Sequence, residues 1–243
     1  MTNANPFAQR STLEYELPPF ALIKEEHYLP AFYEACAAHL AEVQAILDTP
    51  GAATFENTIV ALEKAGQYLG RVLRVFYNKS SSDTNDALDA IEEEIAPKFA
   101  AHQDAISLNP VLFKRIKDLY DARESLGLNS EDAWLLERYY KDLIHEGAHL
   151  TEAQRDRLKE LNEELSSLET QFSKNVLADT NDLAILVDSV EELDGLSENQ
   201  IAAAAAAAKD RGHDGKWLIG MVNFTGNPVL DSLTNRDLRK KIM

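Results

Sequence analysis

Residues 29–47 read LPAFYEACAAHLAEVQAIL, with apolar side chains at Leu29, Phe32, Cys36, Leu40, Val43 and Leu47. Steps of three and four residues put these side chains on one face of a helix, because 3.6 residues complete a turn. Pro18 and Pro19 precede the stretch and belong to a loop, since proline breaks a helix interior. Past Pro50-Gly51 and Thr54 the pattern repeats at Phe55, Ile59, Leu62, Leu69, Leu73 and Phe76, up to Ser80-Ser81-Ser82. The two stretches predict an antiparallel helical hairpin, which sets the character of the whole chain.

Further helices follow by their start signals. Thr84 is the expected cap of a helix reaching Ser107, with Pro97 expected to kink or split it. Asn109-Pro110 is a cap followed by a first-turn proline, and that helix runs to Arg123. Ser130 opens a helix carrying Trp134, Leu135, Tyr139 and Leu143, and Thr151 with Gln154 has the spacing of a capping box. The segment after it has a heptad seam, Leu158, Leu161, Leu165, Leu168, Phe172 and Val176, expected to pack within the domain, with a coiled coil as the alternative.

After Asp179 the pattern changes. Residues 183–187, LAILV, and 216–221, KWLIGM, are apolar runs of strand length. Between them Ser197 and Gln200 cap a helix filled by alanines 202–208 and ended by Gly212. The expected fold is mainly α, with antiparallel helical hairpins and a bundle followed by a small strand-helix-strand layer. The expected domains are residues 1–180, helical, and 181–243, a small α/β segment. A last helix begins near Thr234 and Asp237 and has no stop signal two turns later; it is expected to continue in a longer protein.

Composition narrows the function. A net charge of −17 argues against nucleic acid as a partner, which requires clustered Lys and Arg. Cys36 is the only cysteine, so no intrachain disulfide can form and a reducing compartment fits. Neither a secretory signal pattern nor a run of about 20 apolar residues occurs, which points to a cytoplasmic protein with no membrane partner.

His145-Glu146-Gly147-Ala148-His149 matches H-E-x-x-H, the pattern that sets two imidazoles on one helical face around zinc with a glutamate as general base. That chemistry needs a continuous helix. Gly147 instead suits the residue beyond a helix end, and a new helix starts at Thr151, so His145 and His149 are expected to diverge. Glu164 and Glu169 are available as third ligands, as glutamates would be on any Glu-rich helix. The reading is therefore a helix terminus and loop, with no catalytic or metal-binding residue assigned in this chain and its substrate-binding residues unknown. His27, His39, His102 and His213 are read as surface or helix-face residues, Glu92-Glu93-Glu94 as a solvated face, and Tyr139-Tyr140 as core or interface.

Several stretches carry a resemblance in the same order along the chain: residues 17–20 (LPPF), 29–32 (LPAF), 54–59 (TFENTI) with 61–63 (ALE), 136–142 (LERYYKD), 161–165 (LNEEL) with 171–172 (QF), 215–217 (GKW) and 235–236 (NR) before 238–239 (LR). With them the chain resembles the N-terminal part of the thimet-oligopeptidase family of zinc metallopeptidases, on its peptidyl-dipeptidase and oligopeptidase branches. The resemblance implies a largely helical wall of a deep channel. It places the zinc-binding H-E-x-x-H and a distant glutamate ligand in a later, C-terminal part, so that zinc belongs to the full-length enzyme and not to this segment. The implied partners are that catalytic part and short peptide substrates. A self-contained zinc protease using His145, Glu146 and His149, and a helical adaptor dimerising through the Leu158–Val176 seam, are the competing readings.

Overall fold

The computed structural model of the chain describes residues 5–222 and 226–243. They form two compact units, Met1–Thr170 and Gln171–Met243. The fold is mainly α with one small antiparallel sheet. Among the described residues no helix is long and apolar enough to cross a membrane.

In the first unit α1 (Tyr28–Leu47) packs on α3 (Gln67–Ser82) and α4 (Asp86–Ser107). Its buried face is Tyr28, Ala31, Phe32, Ala35, Val43 and Ile46. Phe32 meets Phe76 of α3 and Leu88 and Ile95 of α4 in one apolar cluster with Phe7. A second cluster joins Phe55 and Ile59 to Leu112 and Ile116 of α5 (Pro110–Asp121) and to Leu136 and Leu143 of α6 (Ser130–Glu146). Burying each of these large side chains contributes about 1.5–3 kcal/mol, which explains why the three- and four-residue spacing governs the architecture.

The stretch read as one helix from Phe55 to Phe76 is broken. A π-helical segment, Glu56–Val60, leads into the short α2 (Ala61–Lys64), and Gly66 at φ 72° separates it from α3. A Cβ on Gly66 would lie 2.9 Å from the His39 ring, and the Gly66 N–H donates to Glu42 at 2.7 Å. The break thus lets the backbone approach α1 closely, which apolar spacing alone does not reveal.

Local start signals differ by one residue from the expected caps. Asn85, Asn129 and Asn235, next to Thr84, Ser130 and Thr234, accept from the first free amides of α4, α6 and α10 (Arg236–Ile242). Asn109 caps α5 as read, with Pro110 in its first turn. Pro97 neither splits nor ends α4, which is held on both sides by buried Leu88, Ile95 and His102, one heptad apart. That packing outweighs the one backbone bond that proline removes.

The long α7 (Glu152–Asp182) buries no residue, contrary to the expected packing of its seam within the domain. Leu161, Leu165, Leu168, Phe172 and Val176 are exposed, and only Leu158 is partly covered.

In the second unit β1 (Ile185–Val187) pairs antiparallel with β2 (Trp217–Ile219), Leu186 opposite Leu218. α8 (Glu198–Asp210) lies between them in sequence and packs on β2, its start closed by the Ser197–Gln200 capping box. Its alanines border a cavity of about 620 Å³. Val187, Leu193, Ile219, Val229 of α9 (Gly226–Ser232), Leu238 and Ile242 form the core here. Thr234 bonds Asp194 through its backbone and side chain, and so closes the unit instead of capping α10.

Candidate functional site

The first unit carries an open cavity of about 940 Å³ lined by residues of α1 to α7. Its apolar floor includes Leu69, Leu73, Leu112 and Ile116. Its polar lining includes His39, Glu63, His102, Asp104, Tyr139 and Glu146.

His39 sits on the buried face of α1, between Cys36 and Val43, and His102 on that of α4, seven residues after Ile95. His39 Nδ1 and His102 Nε2 are 3.0 Å apart. Only one proton can lie between them, so one ring donates and the other, unprotonated at that nitrogen, accepts. Burial lowers the pKa of both; the neighbouring His39 lowers that of His102 further, and Glu42 opposes the shift on His39. Gly66, with no Cβ, gives the His39 ring its room. Both histidines had been read as surface or helix-face residues, and His102 is in fact buried. Its place one heptad after Ile95 is the signal that could have found it.

Asp104 is buried, and its Oδ1 accepts from Asn162 of α7 at 2.8 Å. Burial raises its pKa, with the Asn162 bond and Lys159 opposing. Glu146, at the end of α6, is also raised, first by desolvation and then by the charges of Asp142 and Asp104, while a hydrogen bond from Ser107 opposes the shift. Across the cavity the Tyr139 hydroxyl donates to Glu63 at 2.6 Å, and burial and that carboxylate raise its pKa. Tyr140 turns the other way and stacks on Tyr120 at 4.1 Å. The arrangement provides neutral imidazoles, carboxyls of raised pKa and an apolar floor.

The five residues His145–His149 do not lie in one helix. α6 ends at Glu146, and Gly147 adopts φ 97°, ψ 15°. The Gly147 N–H donates to Ile144 O at 3.1 Å and the Ala148 N–H to Leu143 O at 2.9 Å, the paired bonds of a Schellman end. Ala148 and Leu143 are buried in the same cluster beneath that turn. His145 and Glu146 line the cavity, and His149 is on the turn beyond it. Among the described residues no three His, Cys, Asp or Glu side chains converge to hold a metal ion. Glu164 and Glu169 lie on exposed positions of α7, and His27 sits at the start of α1, its Nδ1 accepting from the Lys24 N–H at 3.0 Å.

The stretch 54–59 forms a compact hydrogen-bond hub. Thr54 Oγ1 accepts from the Asn57 N–H at 3.1 Å and the Thr54 N–H donates to Asn57 Oδ1 at 2.9 Å. That same oxygen accepts from the Thr58 hydroxyl at 2.9 Å and from Arg115 of α5 at 2.8 Å. The pattern at 136–142 likewise places Leu136 in the core and Tyr139 on Glu63.

Proteins named as peptidases are similar to this chain in sequence. Dipeptidyl carboxypeptidase of Escherichia coli is 40% identical over 242 residues, which cover 100% of this chain and 36% of that protein. The chain belongs to the thimet-oligopeptidase family. Dipeptidyl carboxypeptidase of Salmonella typhimurium is 36% identical over 99% of the chain and 35% of its own length. Oligopeptidase A of Salmonella typhimurium is 27% identical over 94% of the chain and 33% of its own length. No family model matches the chain. The match falls on the N-terminal part of these family members, and the chain spans about a third of the length of the curated relatives it matches.

Proposed function

We propose that this chain is the N-terminal, channel-wall part of a cytoplasmic zinc-dependent peptidase that hydrolyses short peptides, with the catalytic centre in the remaining part of the longer polypeptide. The observation that carries the reading is the identity of 40% over the whole chain to only 36% of a dipeptidyl carboxypeptidase. It is supported by the helix end at Gly147, which separates His145 from His149 where a zinc-binding helix would hold them on one side. In this reading residues 1–180 form the helical domain and 181–243 an α/β segment leading to the catalytic domain. The chain supplies neither metal ligands nor catalytic groups and is inactive by itself; a zinc ion held in the other part would supply Lewis-acid polarisation of the scissile carbonyl and activation of water. Release of C-terminal dipeptides is favoured over internal cleavage, because the dipeptidyl carboxypeptidases are the more similar of the two groups.

Metal analysis with a peptidase assay tests this. The longer polypeptide, purified without a metal-affinity tag, is expected to hold about one zinc per chain and to release dipeptides from short peptides until a chelator is added. The 243-residue chain and its His149→Ala variant are expected to hold no zinc and to release nothing. About one zinc per 243-residue chain, lost in His149→Ala, would overturn the proposal in favour of a self-contained protease.

A further inference from the structure

The seam of α7 is an unpartnered apolar row built on a helix that is otherwise anchored. Leu158 lies against Gly147, where a Cβ would come within 2.7 Å of it, and Asn162 bonds Asp104. Those contacts hold the first turns of α7 to the unit. Beside them Leu161, Leu165 and Leu168 are 43, 53 and 59% exposed. Single exposed leucines are ordinary; three on adjoining turns of one face form a patch of the kind that marks an interaction surface.

Charge argues against a parallel pairing with a second copy as its occupant. With Leu158 and Leu165 at one core position of a heptad and Leu161 and Leu168 at the other, the flanking positions hold Asn162, Glu164, Glu169 and Gln171. In a parallel pair Glu164 of one chain faces Glu169 of the other. The chain's charge of −17 adds to that repulsion. The covering surface therefore belongs to a different polypeptide segment, apolar at its centre and basic at its rim. The relatives contain a source for it, since this chain corresponds to only 36% of the Escherichia coli dipeptidyl carboxypeptidase.

We propose that Leu161, Leu165 and Leu168 form the docking surface for the C-terminal part of the longer polypeptide, which sets Lys or Arg against Glu164 and Glu169. The inference rests on the reading of this chain as the N-terminal part of a longer peptidase.

Hydroxyl-radical footprinting tests the surface residue by residue, each site normalised to the same polypeptide unfolded in urea. In the longer polypeptide labelling of the three leucines is expected to fall about tenfold below that in the 243-residue chain, as in a desolvated interface core. Glu164→Lys combined with Glu169→Lys is expected to raise it again in the longer polypeptide, with the helical circular dichroism unchanged. Equal labelling in both proteins, with the longer one cleaving peptides, would overturn the docking surface and leave the peptidase reading standing. Protection in a longer polypeptide that cleaves nothing would support the docking surface and sink the peptidase reading instead. A concentration-dependent dimer of the 243-residue chain with the leucines protected would assign the surface to a second copy and overturn the proposal.

Discussion

His39 Nδ1 lies 3.0 Å from His102 Nε2, so that a hydrogen bond between two imidazoles joins α1 to α4. Both have pKa values lowered from the ordinary 6.5, chiefly by burial. The unfolded chain therefore takes up protons at a higher pH than the folded one, and stability rises with pH across that window. The contribution is fully present above pH 6.5 and is lost as pH falls through it toward the folded values. Asp104 and Glu146, raised in the folded state, act with the opposite sign at lower pH. Urea midpoints of the 243-residue chain are expected to fall between pH 7.5 and 6, and His102→Gln is expected to flatten that dependence. An unchanged slope in the variant would remove the pair as its source.

Asn57 Oδ1 accepts three hydrogen bonds, from the Thr54 N–H, the Thr58 hydroxyl and the Arg115 guanidinium. Thr58 is fully buried, and the bonds from its hydroxyl and from Arg115 to Asn57 are part-buried. Asn57→Ala leaves these donors short of an acceptor and is expected to cost about 2–3 kcal/mol by denaturant unfolding. Asn57→Asp keeps the acceptor and is expected to lose clearly less. Equal losses in the two variants would show that the hub is not what matters at this position.

Cys36 is half-buried against the first apolar cluster, and burial pushes its thiol up to about 11. From the ordinary value of 9.0 the reactive thiolate at pH 8 is thereby depleted roughly a hundredfold. An aromatic disulfide reagent is expected to modify native chain correspondingly slowly and to react at once in urea. Rapid modification of native chain would contradict the packing of α1 described here.

Much of the helical core was legible because burial imposes three- and four-residue spacing, as at Phe32, Val43, Phe76 and Leu143. Three caps were displaced by one residue, since Thr84-Asn85, Asn129-Ser130 and Thr234-Asn235 each offer two adjacent side-chain acceptors, and sequence does not say which lies at the first free amides. The break at Gly66 and the His39–His102 pair were not legible. Both depend on contacts between α1 and segments far along the chain, and a lone histidine on an apolar face does not announce its partner. The seam of α7 was legible as apolar, but periodicity tells which residues share a face and not what covers them.

Gly147 ties the helix end to the question of zinc, because the sign of one substitution separates the two geometries. Inside a continuous helix, as an H-E-x-x-H zinc site requires, Gly147→Ala would stabilise the chain by about 1 kcal/mol. In the left-handed turn observed here, at φ 97°, alanine is strained. Its Cβ would also press on terminal methyls of Leu158 at 2.7 Å and Leu150 at 2.9 Å, which would have to shift. Gly147→Ala is therefore expected to destabilise by about 1–3 kcal/mol, measured by urea unfolding. A gain in stability would mean that residues 145–149 continue α6, bring His145 and His149 to the same side and reopen the zinc site in this chain.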